Sequence, residues 1–245
     1  MSESRSPTAA VLLIGNELLS GRTQDLNLRH IAVSLATIGV RLQECRVVPD
    51  VEGRIVDALN ALRAAYDYVF TTGGIGPTHD DVTAACVAKA FGRTLETHPD
   101  ALRALIEEYG GEENLNEGRR RMAIFPKGAG LIRNSASGAP GFFVENVFVM
   151  AGIPRIMRAM LDAALPLLER GDPVLSAEVR VTKAESLFAE ELTRIQEEFA
   201  PHVDLGSYPA TKDGEKFATI VVRGVDAALV EKAAEEVRKR IATIS

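Results

Sequence analysis

The chain has 245 residues, of which 46% are apolar and 25% charged, as is typical of a folded globular protein. Its formal net charge of -6 argues against a general nucleic-acid-binding protein. A phosphorylated small molecule stays possible, because backbone amides can bind phosphate. The polar start MSESRSPT does not resemble a signal peptide, and no apolar run reaches the roughly 20 residues that span a bilayer. We therefore expect a cytoplasmic protein that binds neither nucleic acid nor membranes.

The two cysteines, Cys45 and Cys86, are isolated in the sequence and have no CxxC spacing. This pattern favours buried, reduced thiols over a disulfide framework. We expect both side chains to be buried.

The first part of the chain alternates between strand-like and helix-like segments. Short apolar runs predict strands at 8–14, 41–48 and 67–72. Apolar residues at helical spacing predict helices at 25–38, 55–65 and 82–91. This alternation predicts a parallel sheet covered on both faces, with the loops after Ile14, Val48 and Thr72 at one edge. Open α/β sheets bind their ligands at that edge.

The rest of the chain predicts the end of this domain and a second, smaller one. Helices are expected at 99–110, 116–123 and 154–168, with a hairpin formed by 141–144 and 147–151. Residues 170–173 have the composition of a linker. Beyond it, strands are expected at 175–182, 204–208 and 217–223, and helices at 187–199 and 226–241. We therefore predict an α/β domain over 1–170 and a small α+β domain over 171–245.

The segment TTGGIGPTHDD, residues 71–81, joins a predicted strand to a predicted helix. Gly73, Gly74 and Gly76 would let backbone amides approach an anion closely, and the following helix would add a favourable dipole. The segment matches neither a Walker A loop nor a GxGxxG fingerprint. Taken alone, the glycines are better explained by a tight turn that needs positive φ.

Asp80 and Asp81 follow these glycines directly. One of them is expected to cap the helix that opens at Val82 and Thr83. Two carboxylates beside a phosphate also favour a cation between them, and Mg²⁺ binds one or two carboxylates together with phosphates. Capping alone is the alternative.

Two further acids follow predicted strands. Glu17 lies just beyond the first strand, and Asp50 lies just beyond the second. Each could be an ordinary loop acid, but acids after three consecutive strands indicate a shared site at the sheet edge.

Two other segments could contact a ligand. The small-residue loop from Asn134 to Gly141 could lie against a ring or a phosphate, or could simply connect two strands. Arg119, Arg120 and Arg121 could reach a phosphate or form a solvated helix face. The histidines form no metal-ligand set, and no spacing supports zinc or serine-nucleophile chemistry.

Together, the segments IGNELLSGRTQDLN, VVPD, TTGGIGPTHDDVT, NSASGAPGF and GIPRIM resemble the molybdopterin-binding (MoaB/Mog-like) domain family. The resemblance is to its CinA-like branch, named after competence/damage-inducible protein A, and covers about residues 8–168. It implies a three-layer α/β sandwich with a mostly parallel sheet. The residues after Asp172 resemble, more weakly, the middle α+β domain of CinA-like proteins.

The resemblance also implies an activity. The molybdenum-cofactor branch transfers AMP from ATP to molybdopterin with Mg²⁺, whereas the CinA-like branch is associated with hydrolysis of nucleotide pyrophosphates such as ADP-ribose. A related domain in FAD synthases is linked to FAD hydrolysis. We therefore expect Mg²⁺-dependent pyrophosphate hydrolysis, with molybdopterin adenylyltransfer or non-catalytic nucleotide or pterin sensing as alternatives. A homo-oligomer, dimer or trimer, is implied as well.

Site residues follow from the resemblance and the loops together. Catalytic roles are expected for Asp50, Asp81 and Glu17, and metal binding for Asp80, Asp81 and Glu17. A monovalent cation is a further option beside Mg²⁺, and no haem, flavin or zinc is expected as a prosthetic group. The ligand, a nucleotide or pterin phosphate, is expected to contact Gly15, Thr72, Gly73, Gly74, Gly76, Pro77, Thr83, Ser135, Gly138 and Gly141.

Overall fold

A computed structural model of the protein describes residues 6–212 and 214–244. The chain divides into two compact units, Met1–Gly171 and Asp172–Ser245.

The strands of the first unit form a main sheet and a small separate pair. In chain order they are β1 (Thr8–Ile14), β2 (Arg41–Val48), β3 (Tyr68–Thr72), β4 (Leu95–Thr97), β5 (Ile124–Pro126), β6 (Gly130–Ile132), β7 (Gly141–Val144) and β8 (Val147–Met150). Within residues 6–171 the main sheet has the order β2-β1-β3-β8-β7-β6, and β4 pairs with β5.

Helices cover both faces of the main sheet. They are α1 (Asn16–Leu19), α2 (Asn27–Thr37), α3 (Glu52–Ala65), α4 (Thr83–Ala90), α5 (Pro99–Tyr109), α6 (Glu117–Arg121) and α7 (Pro154–Ala164). Side chains of α3, α4 and α5 form the core on one face, and those of α2 and α7 form the core on the other. Covered on both sides, β1 is apolar from Ala9 to Ile14 without alternation. The predicted three-layer α/β sandwich is confirmed.

Strand direction explains why so many loops emerge together. β2, β1, β3 and β8 are parallel neighbours, while β7 runs antiparallel to β8. β6 is antiparallel to β7 and so returns to the direction of the parallel strands. The carboxyl ends of β2, β1, β3, β8 and β6 therefore lie along the same edge of the sheet.

The second unit is a small α+β fold, as predicted. Its elements are β9 (Leu175–Val181), α8 (Glu185–Phe199), β10 (Val203–Lys212), β11 (Glu215–Gly224) and α9 (Ala227–Ala242). The strands pair antiparallel in the order β10-β11-β9. Side chains from both helices, such as Phe188 and Val237, pack on Val179, Ile220 and Val222. Helices on one face of a short sheet are enough to bury its core.

Two expectations need correction. Cys86 is buried, but Cys45 is exposed, because β2 is an edge strand with alternate residues open to solvent. The short strands β4, β5 and β6 were not predicted, since three residues show no periodicity.

Candidate functional site

The loops after β1, β2, β3 and β8 meet at the carboxyl edge of the sheet. The amide of Gly15 donates to the carbonyl oxygen of Val48 at 3.1 Å, which joins the ends of β1 and β2. The amide of Gly73 donates to the carbonyl oxygen of Met150 at 3.2 Å, which joins the ends of β3 and β8. A Cβ atom on Gly73 would collide with the carbonyl oxygen of Ile14, so the loop after β3 also passes against the end of β1.

Positive φ angles shape the loop after β3. Gly73 has φ 103° and Gly74 has φ 66°, which non-glycine residues rarely adopt. A Cβ atom on Gly74 would collide with the hydroxyl of Thr83. That buried hydroxyl donates to the carbonyl oxygen of Gly73 at 2.9 Å, and the Thr83 amide donates to the carbonyl oxygen of Gly74 at 3.0 Å. Thr83 thus holds the turn from the start of α4.

A run of backbone donors in this loop has no acceptor. Within the described part of the chain, the amides of Gly74, Ile75 and Gly76 donate to no protein oxygen. Consecutive free amides after residues with positive φ are the usual components of an anion-binding nest. The arrangement is chemically suited to an anionic oxygen.

The acidic pair at the end of the loop is organised by Thr78. The Thr78 hydroxyl lies 2.6 Å from Asp80 Oδ1 and 2.6 Å from Asp81 Oδ2, and the Thr78 amide donates to Asp81 Oδ2 at 2.8 Å. The expected helix cap is wrong: α4 begins after Val82, and no side chain caps its amides. Asp81 is turned back onto Thr78 instead, beside Gly76, whose added Cβ would lie 2.7 Å from Asp81 Oδ2.

The Thr78 hydroxyl bond also affects ionisation. It lowers the pKa of the exposed Asp80 carboxyl, with a smaller contribution from a backbone amide. A hydroxyl has one proton and donates to only one carboxylate at a time. Only one of the two carboxylate contacts at this hydroxyl is therefore a hydrogen bond at a time, although Asp81 Oδ2 also accepts the Thr78 amide.

Asp50 and Glu17 lie on the neighbouring loops. Asp50 is half-buried, and its Oδ2 accepts a hydrogen bond from the Asn16 amide at 2.8 Å, which ties the loops after β2 and β1 together. Glu17 is exposed on α1, with its carboxylate folded against Gly15. Among residues 6–212 and 214–244, no three His, Cys, Asp or Glu side chains form a group that could hold a metal ion. The predicted set of Asp80, Asp81 and Glu17 is thus not a preformed three-ligand cage.

The loop after β6, residues 133–140, flanks the same edge. Asn134 closes it by accepting bonds from the amides of Ala136 and Ser137. Arg155, in the first turn of α7, donates to the carbonyl oxygen of Ala136 at 3.3 Å. A groove of about 860 Å³ lies between this loop and α5.

The other predicted ligand contacts differ in accessibility. Ser135 is exposed, whereas the Cα of Gly138 packs tightly on Glu108 of α5. Gly141 is buried in β7 against the carbonyl oxygen of Val149, and Thr72 is buried at the end of β3. Thr72 and Gly141 therefore support the edge from within the sheet, while Pro77 is exposed on the loop surface.

Comparisons with known proteins identify the family of the first unit. Residues 10–170 match the family model described as "Probable molybdopterin binding domain". The chain belongs to this family. Residues 173–245 match a second model, described as "FAD synthase, middle domain".

Some relatives match nearly the whole chain, and others match mainly the first unit. A protein of Pyrococcus furiosus is 33% identical over 248 residues, covering 95% of this chain and 96% of the relative. A CinA-like protein of Citrifermentans bemidjiense is 43% identical over 160 residues, which are 62% of this chain and 38% of the relative. The crystal structure of CinA from Thermoplasma acidophilum, described as having unknown function, superposes with a TM-score of 0.61 at 33% identity, covering 65% of this chain and 96% of that one. The CinA-like assignment is confirmed.

Sequence reasoning missed two residues that shape this edge of the sheet, Thr78 and Asn27. The motif alone predicted no separate role for Thr78. Its position two and three residues before Asp80 and Asp81 could have indicated that its hydroxyl contacts both carboxylates. Asn27 is buried and donates to the carbonyl oxygen of Gly152 at 2.8 Å, so the start of α2 supports the loop after β8. No sequence pattern indicated that contact. No helix within the described residues is long and apolar enough to cross a membrane.

Proposed function

We propose that the first unit binds a nucleotide pyrophosphate at the carboxyl edge of its sheet and hydrolyses it with the help of Mg²⁺. The observation that supports this most directly is the pairing, within one loop, of free amides at residues 74–76 with two carboxylates that share the hydroxyl of Thr78. The amides suit an anion, and the carboxylates suit a cation.

The phosphate would bind to the amides of Gly74, Ile75 and Gly76. Each donor lacks a protein acceptor, so a phosphate oxygen would satisfy donors that otherwise face water. The amino end of α4, which starts at Thr83, adds a favourable dipole. A Cβ atom at Gly74 would collide with Thr83, and one at Gly76 would collide with Asp81. Glycine at both positions therefore lets the loop keep the conformation in which its amides are free.

The cation would bind at Asp80 and Asp81. The single proton of the Thr78 hydroxyl leaves one of its two 2.6 Å carboxylate contacts without a hydrogen bond. A divalent cation would neutralise this pair, and Mg²⁺ accepts one or two carboxylates when phosphates and waters complete its octahedron. When bound, it would offset the negative charge that develops on the phosphates.

Asp50 is the residue that we propose to orient water. Its Oδ2 is fixed by the Asn16 amide at 2.8 Å, while its other oxygen accepts no hydrogen bond from the described residues. A carboxylate held at one oxygen and open at the other can accept a proton from an attacking water. Water oxygen would bond to one phosphorus as the bridging P–O bond breaks and Asp50 accepts the water proton, so that AMP and the phosphate monoester of the other half are released.

The proposed class of substrate is a dinucleotide or a nucleoside diphosphate sugar. The match of residues 173–245 to the FAD synthase middle domain favours substrates related to FAD or ADP-ribose over molybdopterin. Adenylyl transfer from ATP to molybdopterin would use the same loop and cation, and binding without turnover would make the protein a sensor.

The test is a product assay on the full chain with Mg²⁺. ADP-ribose, FAD, NAD and ATP with molybdopterin are each incubated with the protein, and AMP and adenylylated molybdopterin are separated by chromatography. We expect AMP from ADP-ribose or FAD, reduced at least about 100-fold in Asp81→Asn. Asp162→Asn, an exposed change on α7, serves as the matched control. Adenylylated molybdopterin would support the transferase instead, and binding without any product would support the sensor.

A further inference from the structure

The three consecutive arginines of α6 have different environments. Arg119 lies over the ring of Tyr109, 3.9 Å from its centroid, and donates to the carbonyl oxygen of Asn114 at 2.6 Å. Arg120 pairs with Glu112 at 3.0 Å and also donates to the carbonyl oxygen of Leu115. Arg121 is exposed, and among the described residues it has neither a hydrogen bond nor an ion pair. Only Arg121 is thus available to an external ligand.

Helix α6 lies directly against the glycine loop. Gly118 packs so closely on Pro77 that an added Cβ atom would lie 3.0 Å from its carbonyl oxygen. The helix is fixed at its start by Asn116, whose side chain accepts a hydrogen bond from the Arg119 amide at 2.9 Å. Because residues three apart share one face of a helix, Arg121 lies on the same face as Gly118. Arg121 is therefore carried on the side of α6 that abuts the loop.

The loop itself contains no lysine or arginine, and its one histidine, His79, lies 4.0 Å from Asp80. Residues 71–83 include Asp80 and Asp81 but no lysine or arginine. The free amides at residues 74–76 can satisfy the oxygens of one phosphate, and the carboxylates beside them repel any further negative charge. A cationic group from another element would stabilise a second phosphate here, in addition to any bound metal.

We infer that Arg121 binds the second phosphate of the ligand, so that the site distinguishes a pyrophosphate from a monophosphate. This inference rests on the proposed function. The planar guanidinium can donate two parallel hydrogen bonds to phosphate oxygens, which suits it to a phosphate held beside the loop. The amides hold the first phosphate, and Arg121 adds selectivity for the second.

The test compares the binding of ADP and AMP by calorimetry, in the presence of Mg²⁺, to the full chain and to three variants. We expect Arg121→Gln to weaken ADP binding about 10-fold and AMP binding less than about 2-fold. Arg121→Lys keeps the positive charge but cannot donate two parallel hydrogen bonds. Its affinity for ADP should lie between those of the unchanged protein and Arg121→Gln. Arg41→Gln is the matched control, because Arg41 is exposed at the start of β2, at the other end of that strand from Asp50. This variant should bind both nucleotides as the unchanged protein does. Thermal melting of each variant checks its folding.

The outcomes separate this inference from the proposed function. Equal weakening of ADP and AMP, or no weakening of either, would overturn the role of Arg121. If Arg121→Gln still discriminates ADP from AMP while the protein releases AMP from ADP-ribose, the role of Arg121 fails and the proposed hydrolase stands. If the unchanged protein binds neither nucleotide, the proposed phosphate site itself fails.

Discussion

In the second unit, Arg240 donates to Glu236 at 2.7 Å and to Glu198 at 2.6 Å, and Asp226 accepts bonds from two amides at the start of α9. In the first unit, the amides of residues 74–76 have no protein acceptor, and two carboxylates share one hydroxyl. The second unit thus satisfies these polar groups internally, while the first leaves donors and acceptors unpaired at the end of its sheet. Such incomplete pairing is where a ligand gains most from binding.

The largest expected effect concerns glycines with positive φ. Gly73→Ala places a Cβ atom against the carbonyl oxygen of Ile14 and should cost about 3 kcal/mol of unfolding free energy. Gly214→Ala, in the second unit, also has a positive φ but nothing within 4 Å of the added Cβ, so it should cost about 1 kcal/mol. Urea unfolding of both variants measures the difference, and equal costs would show that the contact with Ile14 is not tightly held.

A smaller effect is expected for the ion-pair cluster of the second unit. Arg240→Met removes bonds to three glutamates, Glu191, Glu198 and Glu236, and should lower the unfolding free energy of that unit. Arg238→Met, which removes a single exposed pair with Glu231, is the control and should cost less. The difference should shrink in 1 M salt, measured by denaturation, since added salt screens ion pairs. If Arg240→Met lost Mg²⁺-dependent nucleotide binding, the ion pairs of the second unit would not serve its stability alone.

The smallest effect concerns acid pH. The pKa of Asp80 is lowered by the Thr78 hydroxyl, so its stabilising contribution is present above the unfolded-state pKa and lost as the pH falls through the folded-state pKa. Thr78→Val should return the pKa of Asp80 toward its ordinary value. Mg²⁺-dependent ADP binding should then fall off at a higher pH than in the unchanged protein.

A pH titration by calorimetry measures this shift. Thr37→Val, which alters an exposed hydroxyl on α2, is the control and should leave the profile unchanged. If ADP binding by Thr78→Val and by the unchanged protein falls off at the same acid pH, Thr78 does not influence the acidic pair.

Much of the fold was predictable because long elements carry their own pattern. β1 is an unbroken apolar strand and α2 has apolar residues at helical spacing, so both were expected from the sequence alone. β6 was not, because its three residues contain no repeat. The sequence suggested that the loop from Asn134 to Gly141 could contact a ligand, but it did not show that the direction of β6 brings residues 133–140 to the carboxyl edge of the sheet.

The candidate site divides in the same way. Loops that follow parallel strands meet by topology, so the proximity of the loops carrying Gly15, Asp50 and Gly73 follows from strand order. The turn that brings Asp81 back to Thr78 depends on local dihedral angles, which residue spacing does not determine. The different environments of Arg119, Arg120 and Arg121 depend on tertiary contacts that sequence-adjacent residues do not share.

Because β7 runs antiparallel to β6, the two strands are joined by one short loop at the carboxyl edge of the sheet. A hairpin returns the chain in a few residues, whereas a parallel connection needs a crossover of a dozen or more. Residues 133–140 are anchored at both ends by the pairing of Ile132 with Gly141, so insertions or deletions there would leave the sheet register unchanged. A change in the length of this one segment would therefore alter the groove beside α5 without moving the glycines of the loop after β3.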